Sequence, residues 1–310
     1  MKKYIGIDIG GTEIKAGIVN EEGKLLYKIT RPSNINNYKI PLIDVIKNIT
    51  NEINVYTMNN DICIEGVGVS AAGQIDNKNG VVIGTCGNIP GWKGTHIKSE
   101  MEKILHLDVI VENDANCAAL AEHWIGNGKE YTNMIAYTIG TGIGGGIILD
   151  NKIFSGSNGI AGEIGHIVLE KDGEPCTCGN KGCFEQYGSM TALIKNVKKI
   201  VGNQLNEING KIIFEKAKEG NKEIAKCIDH FLDYNATGIV TLLHIFNPEA
   251  VIIGGGVSKQ GEVIIQPLIK KVKEKAMPAF YENVVIKTAK LSNDAGMIGA
   301  VKNYMNFKDE

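Results

Sequence analysis

The chain spells out one structural phrase twice, and that repetition narrows what it can fold into. Residues 4–9 form a short apolar run ending at Gly10-Gly11-Thr12, and residues 13–19 run back from it. Residues 134–139 form a second apolar run, followed by the glycine loop Gly140–Gly146 with Thr141-Gly142 inside it. A returning strand at 147–149 and a hairpin turn at Asp150-Asn151 complete the second copy. A strand that reverses within a few residues needs backbone angles that glycine adopts at no steric cost. After the first hairpin we expect a third strand at 24–30 and a helix at 40–56, where Leu42, Ile43, Val45, Ile46, Ile49 and Ile53 recur at helical spacing. A strand at 64–70, a helix at 95–106, a strand at 107–112 and a helix opening at Asn113-Asp114 follow. After the second hairpin, helices dominate 189–247, with the longest near 222–246. A strand at 250–253 then meets Gly254-Gly255-Gly256, with a helix near 262–275, a strand at 283–288 and a last helix near 295–306. Strands alternating with helices predict an α/β fold, and the repeated phrase suggests an internal duplication. No linker rich in proline or serine separates the halves, so any hinge lies inside the fold.

At 310 residues, the chain has room for one large domain or two ordinary ones. A net charge of −2 offers no basic face, which argues against a nucleic-acid partner. No apolar run reaches membrane-spanning length, and the N-terminus has no signal-peptide pattern. Cys63, Cys86, Cys117 and Cys227 stand singly in apolar surroundings and read as reduced core thiols, which fits the cytoplasm.

The other three cysteines are different. Cys176, Cys178 and Cys183 fall within eight residues, ten positions after His166. Three thiols and one imidazole are the ligands of a tetrahedral zinc site. Gly179 and Gly182 would let the backbone turn sharply enough for Cys178 and Cys183 to converge on one ion. Glu163 and Glu185 bracket the cluster, so a metal fixing it would also fix two acids able to face a polar ligand. A disulfide or three unrelated thiols are the alternatives, although Cys176 and Cys178 are too close for an easy bridge with each other.

Glycine turns also suit phosphate, because consecutive backbone amides form an anion nest where side chains are absent. Gly10-Gly11-Thr12 and Thr141-Gly142 can hold the phosphates of one nucleotide, with Thr12 and Thr141 adding hydroxyls. Asp8 suits a magnesium ion or its waters, and Lys15 can approach phosphate as a point charge. The same glycines would also serve plain tight hairpins. The spacing is not that of a P-loop, and Gly140–Gly146 lacks the helix start of a Rossmann turn. Asn113-Asp114 sits where a strand hands over to a helix. An aspartate there can take a proton from an attacking hydroxyl, and either residue can equally cap the helix. Asn88 to Trp92 can hydrogen-bond a sugar, or be a loop pinned by Pro90 and Trp92.

Together these stretches resemble the ROK family of bacterial sugar kinases, within the actin/hexokinase-like ATPases. The motifs are Asp8 to Thr12, Glu112 to Asn116, Thr138 to Gly146, Glu163 to His166, Cys176 to Cys183 and Gly254 to Val257, and they span almost the whole chain. The resemblance implies a two-lobed actin-like fold, a duplicated ribonuclease-H-like α/β architecture with a cleft between the lobes and a zinc knuckle. The expected lobes are 1–118 with 295–310, and 119–294, and the last helix is expected to pack back onto the first lobe. Asp114 matches the catalytic base that deprotonates a hexose 6-hydroxyl. Asn88, Asn113, Glu163, His166 and Glu185 match sugar-contacting positions. His166 would ligate zinc through one ring nitrogen and touch the sugar through the other. Gly254, Gly255 and Gly256 match the turn near adenosine. The implied cofactors are ATP, Mg2+ and structural Zn2+, and the implied assembly is a homodimer.

The expected activity is ATP-dependent phosphorylation of a hexose, closest to glucokinase in the Asn88–Trp92 loop and the Glu163–His166 motif. N-acetylmannosamine kinases, β-glucoside kinases and fructokinases share much of the contact set. Repressors of the same family carry an additional DNA-binding domain, which we do not expect here because the first strand begins at Tyr4. A sugar sensor without turnover is the competing class. A zinc-knuckle nucleic-acid binder is disfavoured, because basic and aromatic residues are scarce beside the cysteines.

Overall fold

A computed structural model describes residues 1–34, 37–84, 89–202 and 208–309 of the chain. It opens with strands β1 (Lys3–Ile9), β2 (Glu13–Asn20) and β3 (Leu25–Pro32), then helix α1 (Leu42–Asn59). Strand β4 (Val67–Ala71), the small hairpin β5 (Gln74–Asp76) and β6 (Val81–Gly84), helix α2 (Ile97–Leu105), strand β7 (Val109–Asn113) and helix α3 (Asp114–Trp124) follow. The second half runs β8 (Met134–Ile139), β9 (Ile143–Leu149), β10 (Lys152–Ile153), α4 (Glu185–Gly188), α5 (Met190–Val201), α6 (Gly210–Lys218) and α7 (Lys222–Phe246). It closes with β11 (Ala250–Gly254), α8 (Glu262–Lys275), α9 (Pro278–Tyr281), β12 (Val285–Thr288) and α10 (Ala295–Asp309).

The suspected duplication appears in the strand order. One five-stranded sheet runs β3-β2-β1-β4-β7 and the other runs β10-β9-β8-β11-β12, the same path twice. In the first sheet β1 is antiparallel to β2 and parallel to β4, and in the second β8 is parallel to β11.

The chain divides into two compact units. Unit 1 comprises Met1–Thr132, Gly146–Gly162 and Lys290–Glu310, and unit 2 comprises Asn133–Gly145 and Glu163–Ala289. Helix α3 stays with unit 1 because α10 packs along it. The approach is close: a Cβ on Gly299 of α10 would lie 1.7 Å from the Cys117 carbonyl oxygen of α3. The last helix thus lies against the N-terminal sheet and α3 within unit 1. On the other face of the sheet, Leu42, Val45, Ile46, Ile49 and Ile53 of α1 are buried among Ile5, Ile7, Ile9, Val67 and Val69.

Two expectations need correcting. Cys63 is exposed, whereas Cys117 and Cys227 are buried; Cys63 follows α1 in a connecting segment, where an apolar local sequence does not ensure cover. Cys86 lies outside the described residues. Strand β9 also begins at Ile143, so the glycines 144–146 belong to the strand and not to a loop. They serve close packing there: a Cβ on Gly146 would meet that of Ala119 at 2.5 Å.

Candidate active site and metal centre

Ladder register assembles the first part of the site in unit 1. Asp8 pairs with Lys15 across β1–β2 and with Ser70 across β1–β4. Side chains opposite one another in a ladder share a face. The Lys15 Nζ therefore lies 3.2 Å from Asp8 Oδ2, and the Ser70 hydroxyl donates to Asp8 Oδ1 at 2.7 Å. The β1–β2 turn closes when the Gly10 N–H donates to the Glu13 carbonyl at 2.9 Å. The Ser33 N–H donates to the Thr12 carbonyl at 2.9 Å and the Tyr38 hydroxyl to the Gly11 carbonyl at 2.5 Å.

The C-terminal end of β7 and the start of α3 form the second part of unit 1. Asn113 is the helix cap; its Oδ1 accepts the N–H groups of Ala115 and Asn116 at 2.9 and 3.2 Å. Its amide donates to the Gly73 carbonyl at 2.9 Å. Capping therefore falls to Asn113, and Asp114 is the first helical residue, with an exposed carboxylate that also accepts the Ala115 N–H at 2.9 Å. A carboxylate in that position sits in the positive end of the helix dipole. Behind both lies Glu112, only 1% exposed. Its Oε1 accepts the Asn113 N–H at 2.8 Å and the Asn116 amide at 3.0 Å, and its Oε2 accepts the Asn77 amide at 3.3 Å. Burial raises its carboxyl above the ordinary carboxylate range, and those donors oppose the shift.

In unit 2 the four suspected metal ligands do converge. The ligand atoms of His166, Cys176, Cys178 and Cys183 all lie within 4.8 Å of one another. Cys176 Sγ is 3.5 Å from His166 Nδ1, and Cys178 Sγ is 3.6 Å from Cys183 Sγ. A tetrahedral zinc with sulfur at ~2.3 Å spaces its ligands by about 3.5–3.8 Å, which these two separations match, and the cluster has the donor set for one. Two turns bring it about. Gly179 has φ 93° and Gly182 has φ 72°, and a Cβ on Gly182 would lie 1.6 Å from the Glu170 carbonyl oxygen. Burial and the neighbouring thiols push Cys183 up to about 12, while the Asn180 N–H lowers Cys178. A divalent cation would relieve that conflict by favouring the thiolates. His166 presents its other nitrogen, Nε2, 3.9 Å from Glu163 Oε2.

Glu185 opens α4, and its Oε2 accepts the Ile143 N–H at 3.0 Å, beside the Thr141-Gly142 turn. The Thr191 hydroxyl donates to the Thr141 carbonyl at 2.7 Å from the other side. Asn235, fully buried on α7, holds α4 by donating to the Gly188 carbonyl at 3.1 Å, and it is bonded to Tyr137 of β8. Gly254 ends β11 and pairs with Thr138 just before the Gly140 turn, and Gly255 and Gly256 follow it. Asn88 lies outside the described residues. Its neighbour Trp92 is 1% exposed and donates its indole N–H to the Ala72 carbonyl at 2.8 Å, which accounts for it as a pin of the loop.

Sequence reading missed Ser70, Tyr38, Asn235 and the burial of Glu112. Only Glu112 left a trace, as a lone acid closing an otherwise apolar strand.

The ROK family model matches residues 4–304. The chain is 36% identical over 310 residues to a glucokinase of Thermotoga maritima, with 96% of each chain covered. It is 30% identical over 307 residues to a xylose repressor of Caldicellulosiruptor bescii, covering 96% of this chain and 76% of the repressor. A solved ROK family glucokinase from Streptomyces griseus, in complex with glucose and AMPPNP, superposes with a TM-score of 0.81 at 33% identity, over 96% of this chain and 97% of that one. With a family match across nearly its whole length, and both sheets and the Cys/His cluster built from the motifs above, the chain belongs to the ROK family.

Proposed function

We propose that the chain is an ATP-dependent hexose kinase that phosphorylates the 6-hydroxyl, with glucose as the best-matched sugar. The observation that carries this reading is Asp114, an exposed carboxylate fixed at the end of β7 by the Asn113 cap and the buried Glu112. In unit 1, Asp114 takes the 6-hydroxyl proton as the sugar oxygen attacks the γ-phosphorus, and the bond to the bridging oxygen of ADP breaks. Asn113 retains one amide hydrogen for the sugar, since its oxygen is committed to the cap. The Gly10-Gly11-Thr12 turn supplies amides to phosphate. Lys15, already paired with Asp8, sets the charge beside that turn. Asp8, whose oxygens accept from Lys15 and Ser70, would hold Mg2+ or its waters.

In unit 2, Glu163, His166 and Glu185 are assigned to the sugar, Thr141-Gly142 to phosphate and Gly254–Gly256 to the adenosine. His166, Cys176, Cys178 and Cys183 would hold zinc, which supplies structural cross-linking and orients the imidazole. Phosphoryl transfer depends chiefly on positioning and charge, which suits residues held this tightly by their neighbours. The charge balance and the lack of a membrane-spanning helix among the described residues fit a cytoplasmic enzyme. A homodimer remains part of the proposal.

The test is an ATP-consumption assay with glucose, mannose, N-acetylglucosamine, N-acetylmannosamine, fructose and a β-glucoside. Glucose should give the highest kcat/KM. Asp114→Asn should lower kcat by about 10²–10⁴-fold while leaving glucose binding measurable, the range expected for loss of a general base. Near-normal turnover in that variant would remove Asp114 from the role. The likeness to a xylose repressor supports a second reading, sugar sensing without turnover. Hexose binding with no ATP consumption for any sugar would favour it.

A further inference from the structure

We infer that Tyr38 is a positioning residue for the nucleotide, acting through the peptide plane between Gly11 and Thr12. The inference rests on the reading that the Gly10-Gly11-Thr12 turn holds phosphate. A trans peptide points its carbonyl and its N–H in opposite directions. The Gly11 carbonyl accepts the Tyr38 hydroxyl, and the next carbonyl, that of Thr12, accepts the Ser33 N–H. The Gly11 and Thr12 carbonyls are thus drawn toward the segment after β3. The Thr12 N–H, which shares a peptide with the Gly11 carbonyl, must face away from Tyr38. It has no hydrogen-bond acceptor among the described residues. An amide held outward in this way is a ready donor to an anion, and fixing it beforehand removes an ordering cost when phosphate binds.

The backbone around Tyr38 supports a dedicated role. Asn37 and Tyr38 both adopt left-handed conformations, with φ of 54° and 60°. An aromatic residue rarely occupies that region unless its surroundings hold it there. From that conformation the hydroxyl reaches the Gly11 carbonyl. The tyrosine is half-buried, and its hydroxyl stands 3.9 Å from where a Gly11 Cβ would be, so the turn itself is not crowded by it.

The experiment compares Tyr38→Phe, which removes only the hydroxyl, with Gly11→Asp, which places an anion in the turn. Both are assayed on the full-length protein for ATP and glucose KM, for kcat, for thermal midpoint and for AMPPNP binding by calorimetry. Tyr38→Phe should raise the ATP KM and weaken AMPPNP binding by about fivefold, the loss of roughly one hydrogen bond. Its glucose KM, kcat at saturating ATP and thermal midpoint should stay near wild type. Gly11→Asp should weaken nucleotide binding more strongly. If Gly11→Asp weakens AMPPNP and Tyr38→Phe does not, the tyrosine inference fails and the phosphate turn stands. If neither variant moves nucleotide binding, both fail. A Tyr38→Phe variant that loses thermal stability or glucose affinity with nucleotide binding intact would show a merely structural tyrosine and overturn the inference.

Discussion

Single residues here act through the partners that burial forces on them. Glu112 is the clearest case. It is enclosed at the end of a strand, and its oxygens accept from Asn77, Asn113 and Asn116, two of which flank Asp114. Burial raises its carboxyl in the folded chain. A raised carboxyl binds its proton more tightly folded than unfolded. The Glu112 contribution to stability is therefore fullest below the ordinary carboxylate value of about 4.3 and falls as pH rises from there through the folded value. Glu112→Gln should flatten that part of the profile. Urea midpoints measured from pH 4 to 8 should converge between variant and wild type at the acid end and separate toward neutral pH. Parallel profiles would show that Glu112 does not titrate in this range.

At the scale of elements, the knuckle shows how short segments without much regular structure are held. Its backbone bonds join turns and isolated bridges, among them the Cys176 N–H to the Asn180 carbonyl at 2.8 Å and the Gly179 N–H to the Cys176 carbonyl at 3.0 Å. The side-chain cluster adds a further cross-link between them. If the cluster holds zinc as proposed, Cys178→Ser, which changes its exposed cysteine, should abolish stoichiometric zinc in the purified protein and lower glucose affinity by at least about tenfold, as losses around metal sites commonly do. AMPPNP affinity should change less. Metal analysis beside sugar titration checks this, and a zinc-free protein that binds glucose normally would make the knuckle a staple alone. The hairpins carry a related lesson. Asn77 to Gly80 is a turn signal, and the small hairpin β5–β6 around it went unread because each strand is only three or four residues long.

At the scale of the molecule, α10 returns the C-terminus to unit 1, and Glu122 secures its entry. This buried carboxylate, at the C-terminal end of α3, accepts the N–H groups of Lys290 and Leu291 at 2.8 and 2.7 Å and that of Asn127 at 3.0 Å. Truncating a charged acceptor strands several amides, so Glu122→Ala should cost about 2–4 kcal/mol of stability by urea unfolding. A loss below roughly 1 kcal/mol would mean that the apolar packing of α10 on α3 suffices.

The two halves were legible in the sequence because a hairpin needs its glycines in a fixed place between two apolar runs, a local requirement. The Cys/His cluster was legible for a similar reason, since all but His166 fall within eight residues and the glycines between them set the turns. The Asp114 position was visible as a strand-to-helix junction, but not which of two neighbours caps the helix. That choice depends on the Gly73 carbonyl, forty residues away, holding the Asn113 amide. Tyr38, Ser70, Glu122 and Asn235 follow the same rule. Their distant partners lie between 27 and 169 residues away along the chain. What the sequence determined by itself was local geometry and ligand chemistry. Ladder register and helix packing alone decided which distant groups meet, because those contacts depend on burial that no stretch of sequence carries within itself.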